Sequence, residues 1–193
     1  MRRLSLSKLR RLSLAAMSIV LCSATALATA LVPAPLRSAI IVRSAGYEKS
    51  FNERKGEAVL AVVVPKGGAD DGKAMAEAFS KLLLETRVGS RKARVVQVIH
   101  ESQGKTNDEL SRVRAEIVYF SRGLEGIVGG VPAQAGDVKR ILVCADGADV
   151  SQGCTLGVEL DGDKPRIVLN LRQANAGGLM FASGLLRLAR IVR

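Results

Sequence analysis

The sequence predicts an α/β domain: a mostly parallel sheet with helices on both faces, ending in an antiparallel β-hairpin and a C-terminal helix. Three observations carry this expectation. Short apolar runs rich in β-branched residues alternate with stretches of helical periodicity, the pattern of right-handed crossovers between parallel strands. The last two apolar runs flank Asp161-Gly162-Asp163-Lys164-Pro165, an Asp-Gly turn that folds neighbouring strands back on each other. A 48% hydrophobic content over 193 residues suffices for one core of ordinary size, and 3% aromatic residues with no Trp make that core aliphatic.

In chain order, Met1–Ala30 has the three parts of a secretory signal: a basic head without acids, an uncharged run from Leu12, and small-x-small cleavage options ending near Ala28 or Ala30. The competing reading is a retained anchor, since Leu12 to Val32 is uncharged and long enough to span a bilayer. Leu21 before Cys22 argues against lipidation, which needs a small residue there. Residues 31–193 then form a single domain, with no internal repeat or linker. After the Pro33/Pro35 turn, Leu36 to Ser50 spaces Leu36, Ile40, Ile41 and Ala45 helically, predicting a first helix on the sheet edge. Ala58 to Val64 is continuously apolar and ends at Pro-Lys-Gly-Gly, as in a strand buried on both faces.

Lys73 to Thr86 is an amphipathic crossover helix, Ala93 to Ile99 the next strand, Asn107 to Arg114 a short helix and Glu116 to Ser121 a third strand. Glu125 to Ala135 is glycine-rich and ambiguous, and Arg140 to Ala145 is a fourth strand. Val158 to Leu160 and Arg166 to Leu169 make the hairpin. Asn170 can cap the following helix, with Gln173 three residues on as in a capping box. Beyond Gly177-Gly178 a closing helix is expected, with Phe181, Leu185, Leu188 and Val192 along one side.

Charge excludes one function class. The formal charge is +11, but removing the five bases among the first thirty residues leaves 24 bases against 18 acids, or +6. That is a mildly basic surface rather than a phosphate-binding stripe, and no nucleic-acid partner is expected.

The closing segment resembles the YfiR-like family of exported bacterial proteins. The match lies in Ile167, Asn170 and Leu171, then Gly178-Leu179, Ser183, Leu185-Leu186 and Leu188-Ala189, and upstream it follows strand and helix order. The resemblance implies a periplasmic regulator without catalytic activity or cofactor. The best-known member binds the periplasmic sensor domain of a membrane diguanylate cyclase and holds it inactive, which lowers cyclic di-GMP and restrains biofilm. The implied partner is therefore a membrane sensor protein of that kind, with a homodimer among the assemblies open to the chain. The Phe-x-x-Trp-Pro motif of many members is replaced here by GYEKSFNER, and the family's other frequent cysteine pair is missing.

Cys144 and Cys154, the cysteines left once the signal is removed, bracket a nine-residue polar loop, and in an oxidising compartment an even pair this close should form a disulfide. Members of the family often bridge this region. The alternative makes Cys144 a nucleophile, since it ends one strand while His100, the sole histidine, ends another. A second decoy is Gly67-Gly68-Ala69-Asp70-Asp71-Gly72-Lys73, spaced like a phosphate-binding loop, with Asp146 ending ILVCAD like its metal-side partner. Ala74 stands where a hydroxyl would bind magnesium, and two aspartates stand where amides would cradle phosphate, so a strand-to-helix turn is the expectation. Without a Cys/His/carboxylate cluster no metal site is expected. Arg37, Arg43, Lys49, Arg54 and Lys55 form either a docking face or the wet side of the first helix and its exit. A different function class remains open: a periplasmic small-molecule binding protein whose ligand sits at the carboxyl ends of the strands, near Lys66, His100, Arg122 and Asp146.

Overall fold

The computed structural model describes residues 31–192, so the signal-peptide reading of Met1–Ala30 lies outside the described residues. In chain order the elements are α1 (Ala34–Ala45), α2 (Lys49–Glu53), β1 (Ala58–Pro65), α3 (Asp70–Glu85), β2 (Ala93–His100), α4 (Gln103–Arg112) and β3 (Ile117–Phe120). A 3-10 turn at Glu125–Gly130 and a small ribbon of β4 (Gln134–Ala135) and β5 (Val138–Lys139) resolve the glycine-rich stretch. Then come β6 (Ile141–Cys144), a 3-10 turn at Gly147–Gln152, β7 (Leu156–Asp161), β8 (Lys164–Asn170), α5 (Leu171–Ala176), α6 (Ser183–Leu188) and β9 (Ala189–Val192).

One seven-stranded sheet has the order β2-β1-β3-β6-β7-β8-β9. The first five of these run parallel, β8 runs antiparallel to β7, and β9 runs parallel to β8. The α/β class and the closing hairpin are thus as the sequence predicts. Strand alternation sorts the core into two layers. Leu60, Val62 and Val64 of β1, with Ile117 and Tyr119 of β3, face a layer shared with α1, α3 and α6. Ala61, Val63, Val118 and Phe120 face a layer completed by Leu110 of α4 and by Val128 and Val150 of the 3-10 turns. Central β1 is buried on both faces, whereas edge strand β2 leaves Ile99 exposed.

Two local expectations change. The first helix does not lie on the sheet edge: α1 packs over the sheet against α3 and β7, burying Arg37, Ile41, Val42 and Ala45 and leaving Leu36 exposed. The second change is at the end of the chain. The closing helix stops at Leu188, and Ala189–Val192 instead pairs with β8 from Ile167↔Ala189 to Asn170↔Val192. Strand β8 has an open edge whose backbone groups need partners, and a segment ending in Ile191-Val192 suits a strand better than another helical turn. Leu188 is consequently 65% exposed rather than buried.

The Gly147–Gln152 turn lies directly on β7. A side chain at Gly157 would sit 2.9 Å from the Cα of Gly147 and against Val150, so only glycine lets the two backbones approach. Among the described residues, no helix is long and apolar enough to cross a membrane.

Candidate functional site

The register brings the four ligand candidates to one edge of the sheet. Pro65 stands beside His100, Val63 beside Phe120, and Phe120 beside Cys144. Lys66, His100, Arg122 and Asp146 therefore lie at or just past the carboxyl ends of four neighbouring strands, where open α/β sheets bind ligands. Each is held differently. Lys66 is exposed, His100 Nδ1 is 2.8 Å from Thr106 Oγ1, and Asp146 caps the Gly147–Gln152 turn by accepting from the Ala148 amide at 3.0 Å. Arg122 is half-buried, and its charge acts on Asp149, whose carboxyl is pushed above the usual aspartate range by burial and then by Glu125 and Asp146.

Beneath this edge lies a group that the sequence reading placed on the surface. Arg37 of α1 is 2% exposed; it forms an ion pair with Asp71, donates to the Ala145 carbonyl at 2.9 Å, and lies over the Tyr119 ring. The Tyr119 hydroxyl donates to Asp71 Oδ2 at 2.8 Å, and burial above all holds its pKa well above the ordinary tyrosine value. The acidic residue at the second position of α3 thus points inward, which gives the phosphate-loop lookalike a structural use. Gly67 and Gly68 supply the left-handed turn before it, with φ of +100° and +80°. Gly72 presses on Ser121 and Val64, and the Ser121 hydroxyl is buried without a hydrogen-bond partner.

Cys144 and Cys154 form a disulfide, with Cα atoms 5.8 Å apart, pinning the polar loop to the end of β6. This disposes of the nucleophile reading. The cysteine carries no free thiol, and His100 lies three strand spacings away across β1 and β3, about 14 Å. Among the described residues no cluster of His, Cys, Asp and Glu could hold a metal.

A second region surrounds the end of α1. One groove of about 440 Å³ between α1 and the end of α3 is lined by Val42, Arg43, Tyr47 and Leu82. Another, about 280 Å³ and almost wholly apolar, lies between α1 and α6, lined by Ile40, Arg43, Tyr47, Ile167, Leu185 and Leu188. Arg43 and Tyr47 belong to both. The turn after Tyr47 also anchors the closing segment: Glu48 is fully buried, accepts from the Met180 amide at 3.1 Å and caps α2 through Ser50. Lys49 and Ala182 add backbone bonds to Met180 and Tyr47 across the same seam.

The signal for Arg37 was present in the sequence. It lies four residues before Ile41 and so on the buried stripe of α1, a position at which an arginine needs an internal acid. The expectation that Arg37 and Arg54 belong to a wet or docking face is corrected. Arg37 is buried, and Arg54 donates to Glu116 at 2.8 Å, whereas Arg43, Lys49 and Lys55 are exposed.

Residues 35–190 match the sequence profile of the family described as YfiR/HmsC-like. No curated protein matches the chain. Solved structures share its fold at low identity. The ABC domain in complex with L-Trp from Streptococcus pneumonia is 12% identical with a TM-score of 0.58, over 83% of this chain and 62% of that one. A conserved domain protein from Vibrio cholerae is 13% identical with a TM-score of 0.55, over 83% and 60%. The ligand-free, open structure of a substrate binding protein with adhesive properties from Clostridium difficile is 13% identical with a TM-score of 0.53, over 70% and 54%. This chain spans about three fifths or less of each of them.

Proposed function

The chain belongs to the YfiR/HmsC-like family, and on that premise we propose that it is an exported, non-enzymatic regulator that binds and inhibits a membrane signalling protein of the diguanylate cyclase kind. The observation that carries the reading is the family match, which runs from the second residue of α1 into β9 and so includes every layer of the fold.

The docking face in this reading is the end of α1, with the grooves that meet at Arg43 and Tyr47 and the exposed Leu188 at their border. Apolar grooves sharing an arginine and a tyrosine are the composition of an interface centre. The partner segment is apolar with a carboxylate opposite Arg43. The C-terminal segment that forms one wall of the second groove carries the family resemblance and is held by Glu48 and, through β8, by the bridged loop, whereas the Tyr47 wall lies in the stretch that departs from the family motif.

Capture from solubilised membranes tests the proposal. Purified protein should retain a protein with membrane-spanning segments and a cyclase domain, and Arg43→Glu or Leu188→Asp should weaken retention at least tenfold. Recovery of no such protein, or recovery by both variants equal to that of the wild type, would sink it. A rise in cyclic di-GMP on deletion of the gene, restored by the wild type and not by Arg43→Glu, is the matching cellular result.

A further inference from the structure

The amino ends of the same strands hold a cleft of about 530 Å³ that the family reading does not use. Its floor is fixed. Glu116, before β3, accepts from Arg91 at 2.7 and 2.9 Å and from Arg54 at 2.8 Å, and Arg91 also lies over the Phe51 ring. Its rim is exposed. Arg94 meets Glu57 only at 3.6 Å with both side chains half exposed, and Arg114 donates to Asp137 at 2.7 Å with both side chains largely exposed. Lys55 completes the wall, so five cations face three carboxylates, an excess of two positive charges beside the exposed edges of Val59, Val113 and Val138, which are otherwise buried.

Arg114 adds an independent observation. It comes just after α4 in a left-handed conformation, φ +55°, the only non-glycine residue among the described ones with positive φ. Its amide bonds to the Ser111 carbonyl and the next amide, of Ala115, to Leu110, which defines a helix stop at which glycine is the unstrained choice. An arginine there strains the backbone and gains a single exposed ion pair, which is worth little. The side chain at the cleft mouth is what the strain retains.

We propose that this cleft binds a phosphate monoester. The two-charge excess matches a phosphate dianion, Arg94 and Arg114 can exchange their weak carboxylate partners for bidentate phosphate contacts, and the valine edges receive the organic body. The ester comes either from a free metabolite or from a lipid headgroup.

Phenyl phosphate titrated into the purified protein and followed by calorimetry tests this. Saturable binding that weakens at least tenfold in Arg114→Gly and in Arg94→Gln is the expected result, with Arg114→Gly melting no lower than the wild type. Co-sedimentation with phosphatidylcholine vesicles containing phosphatidic acid, lost in both variants, assigns the headgroup. Binding of phenyl phosphate alone assigns the free ester. No binding of either probe, or binding unchanged in both variants, overturns the proposal.

Discussion

At the carboxyl ends of β1, β3 and β6 the polar groups are turned inward on one another, Arg37 to Asp71 and Tyr119, with the cysteine bridge closing the next loop. At the amino ends of the same strands only the floor, Arg91 with Glu116 and Arg54, is treated in that way, and Arg94 and Arg114 stand at the rim in exposed pairs. The difference teaches that one sheet can treat its charges oppositely at its two ends, pairing them internally beneath one and leaving them at the rim of the other. At the carboxyl ends the protein's own α1 supplies the internal cation. A charge in a buried pair is committed to stability, because removing its partner strands it away from water, whereas a charge in an exposed pair can change partners at little cost.

The largest expected effect tests the carboxyl ends. Arg37→Leu leaves Asp71 without its cation and should lower unfolding free energy by about 3–5 kcal/mol in urea titration, while Arg37→Leu with Asp71→Leu should recover most of the loss. Equal losses in the single and double variants would show that packing, not charge, holds α1 there. Next comes the bridge. Reduction, or Cys154→Ala, should cost about 2–3 kcal/mol, with hydrogen exchange rising across Val158–Val192, from the hairpin through β9. Unchanged exchange there would restrict the bridge to its own loop.

Gly157→Ala should cost about 1–3 kcal/mol by forcing the Gly147–Gln152 turn off β7, read as a lower thermal midpoint. At the amino ends near silence is expected: Arg94→Gln should change stability by less than about 1 kcal/mol. A loss as large as that of Arg37→Leu would erase the contrast.

The smallest effect is a pH slope. Asp149 titrates higher in the folded protein than in the unfolded chain, because burial, Glu125 and Asp146 all disfavour its charge. The folded state therefore binds the proton more tightly, and stability should fall as pH rises from about 4, the ordinary aspartate value, through the raised one. Asp149→Asn should flatten that part of the stability profile, and an unaltered slope would place its origin elsewhere.

Much of the fold was legible because it depends on local pattern. The apolar run of β1, the Asp-Gly turn and the Asn170 cap, whose side chain accepts from the Gln173 amide at 3.0 Å, each arise from neighbouring residues. The Cys144–Cys154 bridge was legible for the same reason, as a pair close in sequence across a short loop. The clefts were not legible. Arg91, Arg94 and Arg114 are dispersed along loops and strand starts, and their meeting with Glu116, Glu57 and Asp137 around one cleft comes from strand order rather than spacing.

By itself, the sequence determined the α/β class, the order of the main strands and crossover helices and the family resemblance, since these rest on periodicities and on a contiguous closing segment. Only the tertiary structure decided that Arg37 is internal, that the last four described residues form a strand, and that Arg91, Arg94 and Arg114 gather at the amino ends of the strands. Those outcomes depend on which distant groups meet: a cation on α1 is buried when Asp71 arrives to neutralise it, and a chain end becomes a strand when β8 offers an unpaired edge.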